Sequence, residues 1–233
     1  YISVTGVQTC ALPILTTPHE SDVPCILEEL QGCAASITIA ICENRGRDVG
    51  PFVSLLRSGI LDRYTAVLKL HLKKSLYSAQ GDAWRQSLFR ELCGDAAAVS
   101  RCTRLLRRGD VGIVGPHQYF LTSEQFWGAN RAQTKALLAA AGIISNEQSP
   151  SLAFFAGSMF WFKPAALSAL STIPESDLAF PPERGLQDGP LAHALERAFA
   201  PLAQGRGFRV TSPALNGIDI HSVDCSRHTV PVL

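Results

Sequence analysis

Short apolar runs alternating with amphipathic helical stretches predict an α/β fold, a mainly parallel sheet flanked by helices and built as one domain. Two further observations support it. The runs at residues 37–42, 65–70 and 111–114 are rich in β-branched and aliphatic residues and stop at polar or glycine-containing loops. The composition, 46% hydrophobic and 18% charged over 233 residues, suffices for the core of one large α/β domain and does not suit a disordered chain.

Taken in order, residues 15–17 make the stub of a strand, and residues 22–31 a short helix with Val23, Ile26, Leu27 and Leu30 on one face. The strand at 37–42 leads into the loop that opens at Asn44, and a helix runs from 51 to about 58. A second strand, 65–70, is followed by helices over 83–92, with Trp84, Leu88, Phe89 and Leu92 on one side, and 96–108, ended by Gly109. The strand 111–114 closes at Gly115-Pro116, and an alanine- and leucine-rich helix spans 130–141, stopped by Gly142. Residues 152–162 are mostly apolar with a Gly-Ser break. Pro164 starts a helix through 170. After an irregular loop at 180–189 come a last amphipathic helix, 191–202, and a strand at 208–211. Residues 15–210 are read as the domain and 211–233 as a tail.

A net charge of +1 excludes a wholly electrostatic nucleic-acid binder, so no nucleic-acid partner is expected. Arg101, Arg104, Arg107 and Arg108 are read as a solvated helix face. The seven cysteines lack a Cys-x-x-Cys pair and metal-ligand spacing, and fit small apolar residues in a reducing compartment. No apolar run is long enough to span a bilayer, which gives the expectation of a cytoplasmic protein, with the inner face of the membrane as a further location. Residues 4–14 resemble the in-frame translation of a sequencing-library adapter, so 1–14 are expected to be a non-native leader and the chain a fragment of a longer protein.

Four polar groups of residues lie at expected strand or helix ends. In the first, Asn44-Arg45-Gly46-Arg47-Asp48, glycine allows close backbone approach and the guanidinium forks suit phosphate or carboxylate; the alternative is a turn whose Arg and Asp pair with each other. In the second, Lys69, His71 and Lys73 share one face of an extended segment, with Lys74 beside them. Such a face needs an answering anion or carboxylate, for which a diphosphate would serve, unless the strand end simply dips into solvent. The third is Gly157-Ser158 within an aromatic strand, where a glycine marks close approach of a ligand while the aromatics belong to the core. The fourth runs from Glu183 to Arg197. Asp188 stands before Pro190 near a helix amino terminus and is either an N-cap or a general base. His193, Glu196 and Arg197 fall on one edge of the following helix.

The segments NRGRDVGPF (44–52), LKLHLKKS (68–75), GDAWRQSL (81–88), FFAGSMFWFKPAAL (154–167) and ERGLQDGPLAHALER (183–197) together resemble the rhamnan synthesis protein F family, in order, from about residue 15 to residue 207. The resemblance implies a glycosyltransferase-like domain of the GT-A (Rossmann-like) type, lacking its first strand and helix before Leu15. It implies a role in rhamnose-containing cell-surface polysaccharide synthesis, a nucleotide-diphosphate donor such as dTDP-rhamnose, and a glycan or lipid-linked acceptor. A non-catalytic module that binds glycan or nucleotide sugar is the alternative. The chain departs from the family at Leu72 and Pro190, where threonine is usual, and at Thr65, near which an acidic residue is usual. No Asp-x-Asp motif is present and Lys69-Leu70-His71 stands about where one is expected, so the cofactor stays unknown and divalent-metal use open.

On that resemblance Asp188 is the expected general base on the acceptor hydroxyl if the anomeric configuration inverts, with Glu183 the alternative, and His193 and Arg197 orient or charge-tune the carboxylate. Asn44, Arg45, Gly46, Arg47, Asp48, Lys69, His71, Lys73, Lys74 and Gly157 are the expected donor-binding residues.

Overall fold

The computed structural model describes residues 12–34, 36–71, 81–145, 147–181 and 191–215. Their strands and helices run β1 (Ile14–Thr17), α1 (Val23–Glu29), β2 (Thr38–Ile41), α2 (Val49–Arg57), β3 (Val67–Lys69), α3 (Gly81–Cys93), α4 (Ala96–Leu106), β4 (Val111–Val114), β5 (Phe120–Leu121), α5 (Arg131–Ala140), β6 (Phe154–Phe155), β7 (Phe160–Phe162), α6 (Leu191–Gly205) and β8 (Arg209–Thr211). The expected helix after Pro164 is a 3-10 segment, Pro164–Thr172, with the proline at its first position.

The architecture is mixed α/β. The central sheet has the order β3-β7-β4-β8, with β1-β2 and β5-β6 as separate two-stranded pairs. Strand β7 is antiparallel to both β3 and β4, whereas β4 pairs with β8 in parallel, as does β1 with β2. The sheets are thus mixed, and the expected mainly parallel sheet is corrected. A parallel β7 would have to be entered from the opposite rim through a crossover of a dozen or more residues. Instead the chain reaches it directly from β6, through the residues around Gly157 and Ser158.

Side-chain alternation along the strands divides the interior into two apolar layers. Phe160 and Phe162 join Ile113, Val210, Phe52 and Phe199 on the face covered by α2, α5 and α6. There Phe52 meets Phe162 edge to face at 5.4 Å and Phe199 at 5.5 Å, pairings that each add about 1 kcal/mol to the area they bury. Trp161 points the other way, among Leu88, Leu92, Cys102 and Val114 under α3 and α4, and its indole N–H donates to the Leu92 carbonyl at 2.9 Å. Helix α4 starts on a true N-cap, with the Asp95 carboxylate accepting from the Ala98 amide at 2.6 Å. Among the described residues no helix is long and apolar enough to cross a membrane.

This arrangement sets the rim at which the polar groups gather. Strands β3 and β4 end there, and β7 begins there, since Lys69 pairs with Phe160 and Val114 with Trp161. The amino-terminal ends of α2 and α6 carry Asp48 and His193 to the same rim, where Asp48 is tied to Lys69 at the end of β3 and His193 to Arg47 beside Asp48.

Candidate functional site

The loop between β2 and α2 owes its shape to two glycines. Gly46 has φ +69°, and a Cβ there would strike the Phe180 ring, while a Cβ on Gly50 would overlap the Arg45 carbonyl oxygen. The Gly46 carbonyl accepts from the Val49 and Gly50 amides at 3.0 and 2.8 Å, which starts α2 and leaves Arg47 at φ 54°. A side-chain-bearing residue held in the left-handed region costs on the order of 1 kcal/mol and persists only where its surroundings fix it. Among the described residues Arg47 and Ser158 are the non-glycine positions with positive φ, and both belong to this site.

The loop residues divide their contacts. Asn44 is exposed. Arg45 pairs with Glu43 at 2.6 Å and reaches the Phe180 carbonyl at 3.5 Å. Arg47 Nη1 stands 3.2 Å from His193 Nε2, which joins the loop to α6. Because a guanidinium only donates, His193 Nε2 is the acceptor in that contact.

The Asp48 carboxylate answers the charge of β3. Its Oδ2 lies 2.6 Å from Lys69 Nζ and 3.6 Å from His71 Nε2. The Lys69 side chain is 4% exposed; its ammonium also donates to the Ser158 carbonyl at 2.8 Å and stands 5.2 Å from the Phe52 ring centroid. A cation this deep is tolerable because it is paired and hydrogen-bonded. Burial alone would raise the Asp48 carboxyl, but the charges of Lys69 and His71, with the Lys69 hydrogen bond, hold it below its ordinary value.

The Gly157–Ser158 turn is the hub of the site. Both residues take positive φ, +92° and 51°. The Gly157 carbonyl accepts from His71 Nε2 at 2.8 Å, so that nitrogen carries a proton. On the other side of the turn, Glu196 Oε1 accepts from the Gly157 amide at 2.8 Å and the Ser158 hydroxyl at 3.1 Å. Burial pushes the Glu196 carboxyl above its ordinary value, against the pull of Arg197 and with a further push from Asp48. Arg197 spans the base of the site: Nε and Nη2 donate to the Phe126 carbonyl at 2.9 and 2.8 Å and Nη1 to that of His193 at 3.0 Å. Its guanidinium also stacks 4.8 Å from the Phe154 ring.

Among the residues singled out from sequence, Arg47, Asp48, Lys69, His71, Gly157, His193 and Arg197 therefore form one connected set, with Arg45 and Gly46 shaping its border. Lys73, Lys74, Glu183 and Asp188 lie outside the described residues. Glu196 and the hydroxyl of Ser158 are the participants that the sequence placed nearby without a role. The helical spacing of Glu196 from His193 was the available signal, and its partner in the turn was not readable. Among the described residues no group of three or more His, Cys, Asp or Glu side chains is placed to hold a metal ion.

Comparison with known proteins agrees with the resemblance read from the motifs. The family model described as Rhamnan synthesis protein F matches residues 7–208. The chain is 33% identical over 170 residues to "Uncharacterized protein WxcX" of Xanthomonas campestris pv. campestris strain B100, a match covering 73% of this chain and 24% of that protein. The protein of the same title in a second strain of the pathovar is 32% identical over the same shares. The chain thus spans about a quarter of the length of these curated relatives. No solved structure matches it. With a family match over most of its length, running through every strand and helix that builds the site, the chain belongs to the Rhamnan synthesis protein F family, whose description ties it to polysaccharide synthesis.

Proposed function

We propose that this chain is a glycosyltransferase-type domain of the GT-A kind, working at the cytoplasmic side of the membrane in rhamnose-containing cell-surface polysaccharide synthesis. Its donor is a nucleotide-diphosphate sugar, dTDP-rhamnose by family, and its acceptor a growing glycan or lipid-linked glycan. The observation that carries the reading is the convergence of Arg47, His71 and His193, from three separate segments, on one rim beside the Asp48 carboxylate. Open α/β sheets bind ligands beyond the carboxyl ends of their strands, and the set gathers past the carboxyl end of β3.

In the proposed reaction an acceptor hydroxyl oxygen bonds to the anomeric carbon as the bond from that carbon to the diphosphate oxygen breaks. The bonding pair leaves with the diphosphate, and the hydroxyl proton passes to Asp188, or to Glu183 in its place. Arg47, His71, Lys73 and Lys74 offset charge on the leaving diphosphate. Lys69, already taken up by Asp48 and Ser158, fixes the carboxylate and adds positive potential from beneath.

Saturation-transfer NMR of the chain with dTDP and dTDP-rhamnose tests the donor assignment. Contacts from both the nucleotide and the sugar are expected, and the absence of binding by either would overturn it. A second reading is favoured by the quarter-length match to the relatives: a binding module for glycan or nucleotide sugar inside a longer assembly protein. Such a module binds donor yet neither transfers nor hydrolyses it, so an assay for released dTDP separates the two.

A further inference from the structure

Glu196, His71 and the Asp48–Lys69 pair are all tied to one two-residue turn. The Gly157 amide and Ser158 hydroxyl point at Glu196 Oε1, while the Gly157 and Ser158 carbonyls point at His71 Nε2 and Lys69 Nζ. A peptide carbonyl aims where its neighbouring amides allow it to aim. Turning the Gly157 amide away from α6 would therefore swing the acceptors of both Lys69 and His71. The turn also carries Ser158 at φ 51°, a conformation that a residue with a Cβ leaves unless held.

We infer that Glu196 is a positioning residue: by accepting both donors of the Gly157–Ser158 turn, it fixes His71 in the tautomer and orientation in which it meets the ligand of this rim. The inference takes its functional meaning from the donor-site reading above, but its structural part can be tested with no ligand at all. A carboxylate suits the task because one oxygen takes two donors while the other faces Arg197, at 3.8 Å from Nη1. Arg197 is in turn fastened to the Phe126 and His193 carbonyls, so the acceptor is itself held from below.

The test uses the full chain and two variants, read by nitrogen-15 NMR of the His71 ring and by dTDP affinity. Glu196→Ala is expected to lose the single Nε2–H form of His71, giving a mixture of tautomers. It should weaken dTDP binding about tenfold, the effect of losing roughly one well-made charged hydrogen bond from the framework. Glu196→Gln retains an acceptor oxygen for the turn and should keep the wild-type ring signature, with dTDP affinity within about threefold.

A merely structural glutamate would lower stability in Glu196→Ala and leave the ring of the remaining folded protein unchanged. That result would overturn the inference. Should Glu196→Ala not fold, Ser158→Ala carries the test, since it deletes one of the two donors: a partial shift of the His71 tautomer supports the inference and an unshifted ring refutes it. If wild type binds no dTDP while the ring responds to Glu196 as described, the donor assignment fails and the positioning role stands.

Discussion

The Lys69 ammonium sits 2.6 Å from Asp48 Oδ2, behind a side chain that is almost entirely covered, and the strand end is built around that pair. Asp48→Asn keeps the shape and removes the charge, stranding a buried cation. The expected cost is about 3 kcal/mol of unfolding free energy by urea titration. Lys69→Met added to Asp48→Asn should recover more than half of it, because the stranded charge is gone. The pH dependence has a definite sign. Asp48 is held below its ordinary value in the folded chain, so its contribution is present above the unfolded carboxyl range and lost as pH falls through the lowered one. The gap in stability between wild type and Asp48→Asn should therefore close below about pH 4.

Glu196 titrates in the opposite sense. Its folded-state value is raised, so the folded chain is favoured while the carboxyl is protonated and loses that advantage as pH rises from the ordinary glutamate range through the raised value. Glu196→Gln carries no such penalty. Its melting temperature relative to wild type should rise between pH 4.5 and pH 7.5, a span chosen around the ordinary glutamate value of about 4.3. A difference that does not move with pH would contradict the burial described for this carboxyl.

Gly50→Ala tests the loop backbone. The added Cβ falls on the Arg45 carbonyl oxygen, a backbone atom that cannot step aside without moving the loop. A loss of about 2 kcal/mol or more is expected, with a drop in dTDP affinity because Arg47 is displaced with the loop. Gly109→Ala, where a Cβ meets nothing within 4 Å, is the matched control and should change neither.

The cysteines report on the layer formed by α3 and α4. Burial raises the Cys93 thiol to about 11 and the Cys102 thiol to about 12, with the nearby Glu91 charge adding to the latter, whereas Cys25 and Cys33 are exposed. Alkylation with iodoacetamide at pH 8 should label Cys25 and Cys33 in the native chain and reach Cys93 and Cys102 only after unfolding. Mass spectrometry of the digested protein reads this directly.

Asp188→Asn tests the proposed chemistry. Transfer from dTDP-rhamnose should fall about 100-fold or more, the usual contribution of a general base, while dTDP affinity stays within about threefold. Retained transfer would move the base to Glu183 or elsewhere.

Much of the fold could be read from the chain, for identifiable reasons. Strand β4 is bracketed by Gly109 and Gly115, and α4 and α5 have strong apolar faces and glycines just beyond them, so their positions were legible. The direction of β7 was not. Phe160, Trp161 and Phe162 are all buried, because the strand lies between two apolar layers, and an unbroken apolar run carries no sign of which neighbour it opposes. The site divides in the same way. The charges of Lys69 and His71 at a strand end demanded an answering group, but nothing local said that it would be Asp48, 21 residues before Lys69. The carbonyls of Gly157 and Ser158 are decisive acceptors and have no residue-type signature at all. In sequence Glu196 is one more polar residue on a helix edge, and its place in the site comes from the turn packed beside it.

The descent of β7 between its two ascending neighbours has a bearing on how such a chain can diversify. The turn at its head is anchored by aromatic residues that belong to opposite layers, so exchanging Gly157 or Ser158 would disturb both sides of the sheet together. Arg45 and Arg47 are exposed, and they meet Glu43 and His193 through their guanidinium ends. Substitutions at that outer lip are the easier ones for the fold to absorb, and the inner anchor is where the backbone leaves least room.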